Sequence, residues 1–377
     1  MSNQERTGSD VIVVGGGAIG LAAARRLARA GRRVTLVERG RPGEEATRAA
    51  GGMLSPLAES PEPGPFLRLG LDSFALWPSF AAQLEEETGL NLDLRTEGKL
   101  LLALDTPAAE RLRRRGKWAN REGLSTSWLE GASLREREPT AAAAVAGLHL
   151  ECDGQVDNRT LAHALTRAAA AAGCVILPGA TAHTLITSAG RVCGIRTEDG
   201  SEHTADVVLL AAGAWSGRLS GLPRSLPVRP VKGQMVALAL ETAVVRTTLE
   251  TEACYLIPRD HRQGGLVWVG ATSEEVGFTR GTTLEGRTSL LRAAAQAVPA
   301  LAHASEAEAW DGFRPGTPDG LPVIGPDPDL PGLIHATGHF RNGILLTPVT
   351  AELIVRCVDG TGDPRLGPFS PDRFSNV

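Results

Sequence analysis

The sequence predicts an α/β protein: a parallel-sheet nucleotide-binding domain that the chain leaves and re-enters twice, and a second, mostly antiparallel β domain. Three observations carry this. The apolar run Asp10–Val14 leads straight into Gly15-Gly-Gly17-Ala-Ile-Gly20 and then into strong helix formers, Leu21–Ala30; unbroken apolarity marks a strand buried on both faces. Ala205–Gly213 and Leu333–Gly338 repeat that strand pattern far downstream. Between them, residues 227–269 change to β-rich segments punctuated by Pro and Gly, as in an antiparallel sheet.

Taken in order, the first helix closes at Gly31, a residue suited to a left-handed C-terminal cap. Arg33–Val37 then forms a strand ending on Glu38, completing a βαβ unit within about 30 residues. Pro61–Pro65 is a loop by composition, and Lys99–Leu104 reads as a strand. The helix at Pro107–Trp118 carries an arginine cluster, which reads as a solvated face. Leu161–Ala172 is an Ala-rich helix, and Val175–Leu177 a strand. A last helix, Pro348–Val358, has Thr347 as its expected N-cap and Pro348 at N1. The expected division is 1–90, 145–220 and 310–377 for the nucleotide domain, and 91–144 with 221–309 for the second.

Composition excludes several classes. The chain has 377 residues, with 39 Lys plus Arg against 43 Asp plus Glu and a net charge of −4. No basic excess marks a nucleic-acid partner. No apolar run approaches the roughly 18 residues of a membrane span, and the polar segment Met1–Asp10 lacks the apolar core of a secretory signal. Five cysteines (Cys152, Cys174, Cys193, Cys254, Cys357), widely spaced and odd in number, fit neither a disulfide framework nor a zinc site. Reduced thiols, a cytoplasmic location and no metal are therefore expected.

The glycine motif has separate physical duties. Gly15 permits a tight turn, Gly17 lets backbone approach a pyrophosphate, and Gly20 lets helix and strand pack closely. The helix N-terminus offers N–H groups and a positive dipole end to phosphate. Glu38, eighteen residues beyond Gly20, is placed to accept hydrogen bonds from a ribose diol. Three features favour FAD over NAD. Val207–Gly213 is a second strand-to-glycine turn, Arg48–Leu54 is a small-residue stretch able to pass close to a planar ring, and Thr337–Gly343 precedes a helix whose N-terminus could stabilise a reduced flavin.

Together these segments resemble the D-amino acid oxidase superfamily, and within it the glycine oxidases of thiamine biosynthesis. The resemblance rests on Val13-Val-Gly-Gly-Gly-Ala-Ile-Gly20, Ala49–Leu54, Leu226–Gln234, Cys254–Arg259, Val269–Thr272, Gly312–Gly320 and Gly338–Leu345, spread over nearly the whole chain. It implies a FAD-binding Rossmann-like domain of the glutathione-reductase type, with a substrate domain beside it. By match to the family's motifs, Arg314 grips the substrate carboxylate, assisted by Tyr255 and Arg341. Ala18 and Ile19 match the pyrophosphate contacts, Glu38 and Arg39 the adenosine ribose, and Ala182 a backbone contact near adenine. Ala46, Thr47, Gly51, Gly52 and Met53 match contacts toward the flavin, and His339, Phe340, Arg341, Asn342, Gly343, Ile344 and Leu345 the loop around its ring.

The residue types agree with those roles. A guanidinium grips a carboxylate with two parallel donors, which an ammonium cannot do. The alternative for Arg314 is a salt bridge to Asp311 or Asp319; for Tyr255, the chain's only tyrosine, it is simple packing. His339 reads as a loop histidine meeting flavin through its backbone rather than as a base. Arg48, Ser273 and Phe313 depart from the family pattern and bear on pocket size. The implied reaction is oxidation of glycine or another small amino acid to the imino acid, then the 2-oxo acid and ammonia, with dioxygen giving hydrogen peroxide. No enzyme base is obligatory in it. The FAD is expected to be non-covalent, because no cysteine lies in Phe313–Thr317. A sarcosine- or D-amino-acid-selective oxidase and a flavin dehydrogenase with another acceptor are the alternatives. A homo-oligomer and hand-off of the imine to a thiazole synthase complete the expected partners.

Overall fold

The computed structural model describes residues 8–259 and 265–374, so the first seven residues of the polar N-terminal segment lie outside it. The first sheet runs in the order Val323–Pro326, Leu333–Thr337, Glu202–Leu210, Ser9–Val14, Val34–Glu38, Val175–Pro178. Its inner pairings are parallel and only the edge strand Val323–Pro326 runs antiparallel. The outer half of Glu202–Leu210 also pairs with a hairpin, Ala182–Ser188 and Arg191–Thr197, for which the sequence had raised no signal. Helices Ala18–Arg29, Asn158–Ala171 and Thr347–Val358 pack with this sheet through Leu21, Leu27, Leu161, Leu165, Val349 and Leu353, all buried. Helices thus cover one face, while Ile12, Val14, Val208 and Leu210 on the other pack against Leu185, Val192 and Ile195 of the hairpin, so the strands are apolar on both faces.

The second sheet has the order Ser305–Gly316, Arg229–Leu240, Gly265–Gly270, Tyr255–Pro258, Thr248–Glu250, Lys99–Ala103, Ala146–Leu150, Thr126–Leu129. It is antiparallel except where Thr248–Glu250 runs parallel to Lys99–Ala103. Ala146–Leu150 and most of Ser305–Gly316 belong to this sheet, although the expected boundaries at 145 and 310 assigned the former, and the end of the latter, to the nucleotide domain. The strand Ser305–Gly316 crosses that boundary without a break, so no composition shift marks it.

The helix Pro65–Thr88 was not foreseen. It starts at N1 proline, closes on Gly89 in the left-handed conformation, and tolerates Pro78 within it. Ser73 Oγ and Trp77 Nε1 from this helix both donate to the Leu345 carbonyl, at 2.6 and 3.0 Å. The last helix begins one residue earlier than expected. Leu346 is its N-cap, and the Thr347 hydroxyl donates to the Gly343 carbonyl at 2.8 Å instead of capping. The arginine cluster of helix Thr106–Arg121 is not uniformly solvated, since Arg115 turns inward onto the turn at residues 56–60.

Candidate active site

The glycine turn sits between the first strand and the helix Ala18–Arg29, as its sequence context requires. Gly15 has φ +108°, and a Cβ there would stand 2.5 Å from the Ala211 carbonyl oxygen. Only glycine fits. Gly17 is the helix N-cap without any side-chain cap, which leaves the helix end to a ligand. Thr47 Oγ1 accepts the Ala18 N–H at 2.9 Å, tying the Ala46–Ala49 turn to that end. Glu38 is buried, with Oε2 accepting Gly16 N–H at 2.7 Å and Oε1 accepting Gly40 N–H at 2.8 Å. Each oxygen retains a lone pair for a diol.

Two cavities share this cradle. One, of about 400 Å³, is lined by Gly15, Gly17, Glu38, Arg39, Ala182 and Trp215 among others. The other, of about 150 Å³, is lined by Ala18, Ile19, Gly51, Gly52, Met53 and the substrate-side residues. Both include Gly17, Ala46, Thr47, Ala211 and Gly213, so they run into one another. A long two-part ligand with a phosphate at the helix end fits this trough. Glu38, Arg39 and Ala182, expected at the adenosine end, line the first cavity and Gly51, Gly52, Met53 and His339, expected at the flavin end, the second, while Ala46 and Thr47 line both, in the order FAD demands. Arg39 is not free in solvent: its guanidinium lies 3.5 Å from the Trp215 ring centre and pairs with Glu45.

At the far end, Arg314, Tyr255 and Arg341 line the same cavity as Gly51–Met53. Arg314 Nη1 donates to the carbonyls of Thr272 (3.1 Å) and Lys232 (3.4 Å). The salt-bridge alternative fails: Asp319 pairs with Arg373 at 2.7 Å, while Asp311 accepts the Gly281 N–H at 3.1 Å. A Cβ on Gly233 would come within 2.4 Å of both Arg314 terminal nitrogens, so the guanidinium lies flat on that glycine. Tyr255, 8% exposed, donates its hydroxyl to Met235 Sδ at 3.5 Å. Burial pushes its pKa up against the pull of Arg314 and Arg341. Arg341 pairs with Glu59 at 3.0 Å; burial is the largest single influence and opposes its charge, but Glu59, Glu250 and Tyr255 together outweigh it and raise the guanidinium's pKa. His339 is buried, its Nε2 against Thr350 Oγ1 at 3.1 Å, and burial drives its pKa down to about 3. It is a neutral imidazole at any working pH.

Not every expected residue meets the cavities. Gly20 packs under Gly15, Asn342 lies off the lining, and Leu345 acts through its pinned carbonyl. Of the three departures, only Phe313 lines the site, packed edge-on against Trp215. Arg48 faces outward onto Glu44 and Glu308, and Ser273 is exposed. Sequence reasoning also passed over Arg259. Fully buried, it donates to the Gly51 carbonyl at 2.7 Å and to Gln155 Oε1 at 2.9 Å, fixing the Gly51–Gly52 turn. Its signal was there, in a cationic residue closing an apolar strand.

The fold and its cradle define a flavin-dependent oxidoreductase, with two arginines and a tyrosine lining the cavity at its far end. The chain belongs to the DAO family of FAD dependent oxidoreductases, whose model matches residues 10–357. Among its relatives is the glycine oxidase of Geobacillus kaustophilus, 37% identical over 97% of each chain. The crystal structure of glycine oxidase from Geobacillus kaustophilus superposes with a TM-score of 0.91 at 36% identity, covering 96% of this chain and 98% of that one. The bifunctional protein ThiO/ThiG of Synechocystis is 38% identical over 98% of this chain, which spans 54% of that longer protein.

Proposed function

We propose that this protein oxidises glycine to its imine, which water hydrolyses to glyoxylate and ammonia unless, in the cell, a thiazole synthase captures it first. The observation that carries this is one cavity, of about 150 Å³, in which two arginines and a tyrosine converge on a glycine-lined wall. The similarity to glycine oxidases over nearly the full chain supports the same reading, and the ThiO/ThiG relatives support the thiazole link. With no membrane-long helix among the described residues and five free cysteines, a cytoplasmic enzyme is the consistent setting.

Bound along this trough, FAD supplies a two-electron acceptor for the hydride leaving the substrate Cα, with dioxygen as the final oxidant. The chain's own residues do the placement. Arg314, braced by two carbonyls, receives the carboxylate through a planar fork and fixes where Cα stands. Tyr255 adds a hydroxyl donor, and Arg341 a second positive charge. The wall of Ala, Gly, Met and Phe residues keeps water away, which strengthens each of these contacts. Among the described residues lining the cavity there is no carboxylate, and its only histidine cannot take a proton near neutrality. The amine therefore has to arrive neutral, its lone pair driving hydride departure. No cysteine lines either cavity, consistent with non-covalent FAD.

The decisive experiment is anaerobic mixing of the yellow protein with glycine, sarcosine and small D-amino acids while the flavin absorbance is followed. Bleaching fastest with glycine, and hydrogen peroxide formed in air, is the expected result. Faster bleaching with sarcosine or D-alanine would move the assignment to those substrates, and bleaching without peroxide would make the protein a dehydrogenase. Acid precipitation should leave the yellow colour in the supernatant.

A further inference from the structure

Arg341, which lines the cavity and is 42% exposed, is the outer end of a chain of charged contacts that runs inward from it. Its partner Glu59 ends the turn Pro56–Glu59, whose N–H of Glu59 closes on the Ser55 carbonyl at 3.1 Å. Asp153, fully buried, grips that turn from one side: Oδ1 accepts the Leu57 N–H at 3.0 Å and Oδ2 the Ala58 N–H at 3.1 Å. Arg115 Nη2 grips it from the other, donating to the carbonyls of Leu57, Ala58 and Ser60. Ser55 receives Lys99 Nζ at 3.1 Å, and Lys99 also pairs with Glu250, the register partner of Tyr255. Turns usually leave such backbone groups to water. Here an anion takes the N–H groups and a cation the carbonyls, next to the residue that pairs with Arg341.

We infer that Asp153 is a positioning residue for substrate binding: by holding the Leu57 and Ala58 amides it fixes Glu59, and through Glu59 it sets where the Arg341 guanidinium stands. This rests on the reading that Arg341 faces the substrate carboxylate. The geometry also makes the device sensitive to pH. An ionised carboxylate offers both oxygens to both amides, whereas a protonated one turns one oxygen into a donor. Burial pushes the Asp153 carboxyl up to about 7, opposed by Lys99 and the two amides and reinforced by Glu250. Arg115 faces the same group from its helix, and the adjacent Cys152 thiol, pushed up to about 12, stays neutral. Rising pH through neutrality thus tightens the clamp.

The test is steady-state kinetics of the FAD-loaded protein with glycine from about pH 5.5 to about pH 8.5. Asp153→Asn keeps the shape but presents one acceptor and an NH2 that faces the second amide. It should raise KM about tenfold with kcat and flavin content unchanged, the cost expected of a displaced binding group. It should also remove the inflection in KM that the wild type shows near pH 7, leaving only the steady fall that deprotonation of the substrate amine imposes on every variant. Glu59→Gln, on the more accessible side of the chain, should raise KM similarly and remove the same inflection even though Asp153 still titrates. The double variant should be no worse than either single one. A wild-type KM and pH profile in Asp153→Asn overturns the inference, as do effects that multiply in the double variant. Should Asp153→Asn fail to fold, a Glu59→Gln protein that retains the wild-type pH profile overturns it alone. Arg341→Lys separates the two readings. If it leaves KM unchanged, the assignment of Arg341 itself fails; if it raises KM while the Asp153 and Glu59 variants do not, only the positioning role fails.

Discussion

The cofactor end and the substrate end of this trough are built on opposite plans. The phosphate-and-ribose part of the cofactor end is backbone: a glycine turn, a helix N-terminus and a carboxylate tied to two main-chain amides, all within residues 15–47, with residues 180–219 closing the rest of the cavity. The substrate end is side chains from distant strands and loops. Arg314 comes from Ser305–Gly316, Tyr255 from Tyr255–Pro258, Arg341 from the loop before the last helix, and their supports from residues 57–60, 153, 232–233 and 272. The lesson is that a ligand rich in phosphate and ribose can be met by local chain geometry. A small carboxylate needs charges brought together by the whole fold.

That contrast can be broken first at the cofactor end. Gly15→Ala forces a side chain into left-handed backbone and against the Ala211 carbonyl, so the protein should lose its flavin altogether or fail to fold. Flavin absorbance relative to protein absorbance checks this, and a fully yellow Gly15→Ala would show that the backbone plan is wrong.

The next largest effect lies at the opposite end. Arg314→Lys exchanges a planar fork for a point charge and should cost about 2–4 kcal/mol in kcat/KM, roughly 30- to 1000-fold, with FAD content normal. Unchanged kinetics at full flavin occupancy would remove Arg314 from the site. Tyr255→Phe should be milder. Loss of one neutral hydroxyl donor is worth about 0.5–1.5 kcal/mol, read as a KM increase of a few-fold with little change in kcat.

The smallest effect is at His339. Held neutral by burial, it should contribute no inflection near 6.5 to the flavin-reduction rate, and His339→Gln should keep most of that rate. A thousandfold loss with FAD still bound would make it a base. The same residue has a thermodynamic signature of definite sign. Its folded pKa, about 3, lies below the unfolded value of about 6.5, so the unfolded chain binds more protons between them. Its contribution to stability is complete above about pH 6.5 and is lost as pH falls toward 3. Acid should therefore lower the Tm of the wild type more steeply than that of His339→Gln, and parallel curves would contradict the burial.

The sequence by itself determined the parts whose physics is local. The first βαβ unit was legible because turn, helix start and the carboxylate at the strand end follow one another within the reach of backbone hydrogen bonds. The two later parallel strands were legible because burial on both faces leaves an unbroken apolar run. The motif resemblance brought Arg314, Tyr255 and Arg341 into view without saying what would support them. Only the tertiary structure decided that Asp311 and Asp319 leave Arg314 to the cavity, that Arg48 and Ser273 stand outside it, and that Arg115 leaves its solvated helix face to clamp the 56–60 turn. It also decided that Arg259 and Asp153 lie buried beneath the site. A buried charge is permitted only where the fold delivers its partners. Those partners, Gly51, Gln155 and Val156 for Arg259 and Leu57, Ala58 and Lys99 for Asp153, lie about 50 to 200 residues apart in the chain, beyond the reach of any local pattern.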